Sequence, residues 1–172
     1  MKKQHSLHYF FLLFMVLLNI GCDQVSKHIV RQEIDYNENI SIIDNHVTLT
    51  KVENTGAFLS AGNELPDVVR LVLLTILPLV VLVFGLYYLF SKKDLPIALQ
   101  IGLCFLIGGG IGNIYDRIRF GSVTDFLHMD FGLFRTGIFN LADVSIMIGI
   151  GILFIQSFKK KVIEPVSTEE TN

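Results

Sequence analysis

Charge is scarce in this chain: only 17% of its 172 residues are Asp, Glu, Lys or Arg. A soluble domain usually carries about a quarter. Here the hydrophobic residues, 51% of the total, are gathered into long runs, and the mean hydropathy is +0.54. That excludes an ordinary soluble globule and indicates an integral membrane protein with room for one domain. Lysine and arginine form no basic stripe, so nucleic acid is not a partner. Only two cysteines occur, Cys22 and Cys104, both inside apolar segments. They read as small packing residues, not as a disulfide or a metal site. No His-Glu-x-x-His or comparable spacing occurs, which argues against a zinc hydrolase. No serine sits in a Gly-x-Ser-x-Gly elbow. Ser26 and Lys27 are adjacent, so on a helix they point apart and cannot form a dyad. Internal repeats and low-complexity tracts are also missing.

What is present is four apolar runs, at about residues 9–30, 68–90, 95–114 and 141–158. Each approaches the roughly 20 residues a helix needs to cross the hydrocarbon core. Pro78 and Gly85 in the second run are tolerable in a membrane helix. The expected fold is all-α with four transmembrane helices. Lys2, Lys3, Lys92, Lys93, Lys159, Lys160 and Lys161 lie in short flanks on one side. The two longer loops, 31–67 and 115–140, hold only Arg31, Lys51, Arg117, Arg119 and Arg135. The positive-inside rule puts both termini in the cytoplasm and both loops outside. One domain is expected over 1–161, with 162–172 a disordered cytoplasmic tail.

The first outer loop alternates apolar and polar residues at Ile40-Ser41-Ile42 and over Val47–Val52, with a turn signal at Asp44-Asn45. It predicts a small extracytoplasmic hairpin or platform at the membrane surface. The amino terminus imitates an export signal cleaved before a cysteine: Lys2, Lys3, an apolar stretch, then Asn19-Ile20-Gly21-Cys22. Asn19 stands where an aliphatic residue is expected and three more spans follow, so the run reads as an uncleaved helix.

The chemistry is concentrated in short polar phrases. Asp125 lies in Val123-Thr124-Asp125-Phe126, and Asp143 in Phe139-Asn140-Leu141-Ala142-Asp143. Ionisable groups beside the bilayer are expensive and mark functional sites. Two carboxylates 18 residues apart, bridged by a loop with Gly132 and Gly137, can meet at the outer boundary. A close pair would share one proton, as general base and general acid require. Asp143 has a second reading, as a cap at the start of the fourth helix. Asn140 would bond a carboxylate or a substrate. Asp23 and Lys27, four apart, are either an interfacial ion pair or a group aimed into a cavity, where Asp23 would hold an outer loop or substrate backbone. Asn54-Thr55-Gly56 is either an ordinary turn or a clamp for an extended peptide. The glycines of Gly108-Gly109-Gly110-Ile111-Gly112 read as close-packing positions. Just after them, Asn113, Asp116 and Arg117 would cluster on a continued helix. An Asp116–Arg117 ion pair fixing the loop that carries Asp125 is expected there.

Taken in order, Asp23–Lys27, Asn54–Phe58, Gly108–Arg117, Val123–Phe126 and Phe139–Asp143 resemble the bacterial lipoprotein signal peptidases over about residues 9–158. The resemblance implies a four-helix aspartic endopeptidase with a small outer β-cradle, in the bacterial cytoplasmic membrane and probing its outer face. It would cut prolipoproteins just before a lipidated cysteine, among membrane lipids, as a monomer and without metal or other cofactor. Asp125 and Asp143 would be the catalytic pair. Asp23, Lys27, Asn54, Gly56, Asn113, Asp116, Arg117, Asn140 and Ala142 would position substrate or pair. Glu53 departs from the family, which often has Arg there. Two rival classes remain, an ion-coupled transporter using Asp23, Asp125 and Asp143 as a relay across the membrane, and a non-catalytic assembly factor.

Overall fold

The computed structural model describes residues 2–36, 38–43, 46–57, 62, 64–92 and 94–158. The expected turn at Asp44-Asn45, the lysines at 93 and 159–161, and the tail 162–172 lie outside these.

Among the described residues there are five α-helices and three strands. Helix α1 runs Lys2–Glu33, followed by β1 (Asn39–Ile43) and β2 (Val47–Asn54). Next come α2 (Asp67–Leu71), a wide π-helical turn (Val72–Ile76) and α3 (Leu77–Ser91), which together form one rod. The chain continues with α4 (Ile97–Phe120), β3 (Val123–Met129) and α5 (Leu141–Ser157). Among the described residues, three stretches are long and apolar enough to cross a membrane: Leu7–Glu33, Asp67–Ser91 and Ile97–Phe120. Helix α5 is apolar but shorter, at 17 residues.

The wide turn has a covalent cause. Pro78 has no N–H with which to bond the carbonyl of Leu74, and its ring crowds that carbonyl, so the helix loosens by one residue just before it. The glycine run explains the packing of α4. A methyl group on Gly108 would lie 2.6 Å from Asn19 on α1, and one on Gly110 2.8 Å from Leu82 on α3. One on Gly109 would collide with the Ala142 carbonyl on α5. The close-packing reading therefore holds, with a different neighbour at each glycine.

Two boundaries differ from the sequence reading. Helix α1 extends to Glu33 and carries Arg31, and α4 continues to Phe120, carrying Asp116, Arg117 and Arg119. Asp116 is buried and Arg31 and Arg117 partly so, turned to protein from these last turns, so hydropathy mistakes them for loop. Gly121, at φ 78°, then ends α4 in the left-handed conformation. The expected hairpin is there, with Ile40 opposite Leu49. A third strand joins it: β3 pairs antiparallel with β2, placing Asp125 opposite Val52 and Val123 opposite Asn54. The sheet packs on the end of α1 through Val30, Ile34 and Phe126, while Leu12, Val16, Leu82, Leu89, Cys104 and Ile107 fill the helical core.

Candidate active site

Asp125 is held on β3 and Asp143 in the first turn of α5. The chain between them turns back on itself: Asp130 bridges to Arg135, and Leu127 exchanges backbone hydrogen bonds with Phe139. This return sets Asn140 beside Asp125. The Asn140 amide nitrogen donates to Asp125 Oδ1 at 2.6 Å. Its amide oxygen accepts from the Asp143 backbone N–H at 3.0 Å, while its own N–H donates to Asp143 Oδ2 at 3.2 Å. The last two bonds form a capping box, so the capping reading of Asp143 is correct as far as it goes. Capping uses one carboxylate oxygen. The other, Oδ1, accepts from Asn113 Nδ2 at 2.8 Å.

Three asparagine amides converge on the two carboxylates, and each is oriented by a second partner. Asn54 accepts the Gly56 N–H at 2.9 Å, which turns its nitrogen to Asp125 Oδ2, also at 2.9 Å. The Asn54-Thr55-Gly56 phrase is therefore a turn whose asparagine reaches a carboxylate. Arg117 fixes that turn by donating to the Gly56 carbonyl at 2.7 Å. Asn113 gives its oxygen to Lys27 Nζ at 2.9 Å. With the oxygen so engaged, only the nitrogen is left to face Asp143.

Behind Asn113 lies a buried ion network. Lys27 Nζ is 2.9 Å from Asp23 and 2.9 Å from Asp116, and all three side chains are 0% exposed. Arg31 stands 2.9 Å from Asp116, donates to the Thr124 hydroxyl at 2.8 Å, and lies over the Phe120 ring. Two carboxylates thus face two cations, which is what allows the group to be buried. Gln24 adds bonds to Asp23, Asp116 and the Gly112 carbonyl. The expected Asp116–Arg117 ion pair is replaced by these contacts: adjacent helical residues point apart, so Asp116 turns to α1 while Arg117 turns to the Gly56 turn. Of the two readings of Asp23, the ion pair with Lys27 is the one observed, though buried. Asp23 also accepts the Ala142 N–H at 2.9 Å and so ties α1 to the start of α5.

Sequence reading missed Arg31, Thr124 and Glu53 as supports. Glu53 accepts from Ser122 at 2.5 Å and Thr124 at 2.8 Å, stitching β2 to β3 beside Asp125. Asp23, Lys27 and Arg31 are spaced four apart on one helix face, a signal available in the sequence. Every other expected site residue joins this single connected set, which is gathered rather than strung along a relay path.

Burial pushes the Asp125 carboxyl up to about 6, with the nearby Asp143 adding to the rise and the bonds from Asn54 and Asn140 opposing it. A cavity of about 320 Å³ opens beside Asp143, Asn113 and Arg117, and its remaining wall is apolar, with Leu74, Pro78 and Ile146. Among the described residues no group of three or more His, Cys, Asp or Glu could hold a metal ion. The set offers two carboxylates, hydrogen-bonded and unequal in environment: Asp143 lines the apolar slot, and the buried Asp125 lies behind it, joined through Asn140.

Comparison with known proteins gives this geometry a context. The sequence pattern of the family described as Signal peptidase (SPase) II matches residues 15–159. The chain belongs to that family. The lipoprotein signal peptidase of Streptococcus pneumoniae (strain ATCC BAA-255 / R6) is 37% identical over 148 residues, covering 86% of this chain and 92% of the relative. That of Clostridioides difficile (strain 630) is 37% identical over 152 residues, covering 84% and 96%. A solved bacterial membrane enzyme superposes with a TM-score of 0.78 at 25% identity, covering 88% of this chain and 94% of its own. The chain is thus a membrane peptidase of the signal peptidase II family, mostly helical with a small three-stranded antiparallel sheet.

Proposed function

We propose that the chain is an aspartic endopeptidase that removes signal peptides from diacylglyceryl-modified prolipoproteins by cutting before the lipidated cysteine. The observation that carries this is the double role of Asn140, which binds both the Asp125 carboxylate and the turn that presents Asp143. It makes the two aspartates one unit.

On this reading Asp143 is the general base. It lies in the first turn of α5, lines the cavity and accepts from the Asn113 amide and the Asn140 N–H. Asp125 is the acid of the pair: it is 4% exposed and burial raises its carboxyl to about 6, so it carries a proton below that pH. Asp143 takes a proton from water as the oxygen attacks the scissile carbonyl. Asp125 donates to that carbonyl oxygen, giving a gem-diol; as the C–N bond breaks, the proton on Asp143 passes to the leaving amine and a gem-diol hydroxyl returns its proton to Asp125. Asp23, Lys27, Asn113, Asp116, Arg117, Asn54, Gly56, Asn140 and Ala142 position the pair, and no metal takes part.

Four helical rods cross the bacterial inner membrane, with α5 the fourth, both termini cytoplasmic and the pair near the outer face. The protein works as one monomeric domain over 1–161, with acyl chains of the substrate remaining in the lipid. The test is cleavage of a diacylglyceryl-modified prolipoprotein by purified Asp125→Asn and Asp143→Asn variants. Each should be slower by about 10²–10⁴-fold, the range for losing a general acid or base. Normal cleavage by either folded variant rejects the assignment.

A further inference from the structure

Arg31 spans the corner where the chain passes from α4 to β3. Only Gly121 and Ser122 join the two elements there. On the α4 side, Arg31 Nη2 stands 2.9 Å from Asp116 and the guanidinium lies 4.1 Å over the Phe120 ring. On the β3 side, its Nε donates to the Thr124 hydroxyl at 2.8 Å. Thr124 is fully buried and donates in turn to Glu53 on β2 at 2.8 Å, while Ser122 of the corner donates to the other Glu53 oxygen. The two sides of this corner carry different halves of the site. Helix α4 bears Asn113, the donor to Asp143, and β3 bears Asp125. The ladder that holds Asp125 is short. Regular pairs run only from Val52–Asp125 through Glu53–Thr124 to Asn54–Val123, between a register shift after Leu49 and the end of β2. Side chains alternate along a strand, so Thr124 and Glu53 lie on the reverse face from Asp125 and Asn54. The Asn54–Asp125 bond therefore crosses the ladder diagonally, and its length follows the register of those few pairs.

We propose that Arg31 is a positioning residue for the reaction: acting through Thr124 and Glu53, it clamps the α4–β3 corner and fixes where Asp125 stands relative to Asn54 and Asp143. The inference rests on the peptidase reading above. Arginine suits the task because one planar fork faces Asp116 with an Nη, holds Thr124 with its Nε and covers Phe120 with its plane. Lysine brings the same charge without the fork, so it can hold only one side of the corner at a time. With the clamp released, the backbone pairs keep the sheet folded, but the diagonal bond from Asn54 lengthens. That bond holds the Asp125 carboxyl down against the effect of burial, so weakening it lets the carboxyl rise further.

The test follows cleavage of a diacylglyceryl-modified prolipoprotein peptide by the full-length protein and its Thr124→Val, Thr124→Ser and Arg31→Lys variants, across pH. Thr124→Val and Arg31→Lys should each lower kcat about tenfold, less than the roughly 10²-fold of a 1 Å misplacement. KM should not change, because neither residue lines the slot beside Asp143. Both variants should also move the alkaline limb of the profile to higher pH. The charged groups facing Asp125 are Lys27, Arg117 and Asp143, and Thr124→Val alters none of them. A loss of stability alone would leave the limb in place. Thr124→Ser keeps the hydroxyl and should restore both kcat and limb; should Thr124→Val not fold, Arg31→Lys decides. A parent-like kcat or an unmoved limb in either folded variant overturns the clamp and leaves the peptidase reading intact. So does a Thr124→Ser protein that behaves like Thr124→Val. Failure of the unaltered protein to cleave the peptide overturns the peptidase reading and the clamp with it.

Discussion

Lys27 and Asp143 are joined through a single side chain: Asn113 gives its amide oxygen to Lys27 at 2.9 Å and its amide nitrogen to Asp143 at 2.8 Å. The ammonium therefore decides which way the amide points. A cation on the first helix sets the hydrogen bond received by a carboxylate on the last.

Lys27→Met should be strongly destabilising. It leaves Asp23 and Asp116 buried with one cation fewer, and breaking such a group by removing one partner costs about 3–5 kcal/mol. Thermal unfolding in detergent or bicelles measures it. A variant as stable as the parent would mean that water or rearrangement satisfies both carboxylates.

Asn140 separates two roles by choice of replacement. Asn140→Ser retains a capping oxygen for the Asp143 N–H but cannot place a donor on Asp125. Stability should fall by about 1–3 kcal/mol, since buried Asp125 loses a donor, while cleavage falls at least tenfold. Asn140→Ala loses the cap as well and should cost a further 0.5–2 kcal/mol or about that. Paired melting curves and initial rates distinguish them.

The pH profile of kcat/KM should have an alkaline limb set by Asp125. Burial raises its carboxyl to about 6, so its proton is held below that pH and lost above it. On the proposed assignment the rate falls tenfold per unit beyond the midpoint. The charged groups facing Asp125 are Lys27 from α1, Arg117 from α4 and Asp143 from α5. A limb that is absent, or that rises with pH, would reverse the roles given to the two aspartates.

Gly112→Ala tests the close approach of α4 to the ion network, because the added methyl meets the Asp23 carboxylate. Overpacking a tight core typically costs about 1–3 kcal/mol. Gly151→Ala, with open space around it, is the control and should be neutral or slightly stabilising. Equal melting temperatures for the two would contradict the packing.

Much of the site was legible because its residues sit in short phrases whose local geometry is restrictive. Asn140 three before Asp143 is a capping pattern, and the spacing of Asp23 and Lys27 gives the ion pair directly. Strand β3 was not legible. Val123, Thr124, Asp125 and Phe126 are all buried, so the two faces do not alternate in polarity and the period-two signal vanishes. The partner of Asp116 was hidden for another reason. It lies on α1, some ninety positions earlier in the chain, and nothing local to Asp116 points there.

The bond from Ala142 to Asp23 has a consequence for biosynthesis. It fastens the last helix to the first, and Asp143 follows directly behind it. A ribosome must release the polypeptide through α5 before both acids can come together. On the proposed assignment, nascent chains halted before α5 are unable to hydrolyse anything, so proteolytic competence waits for that helix.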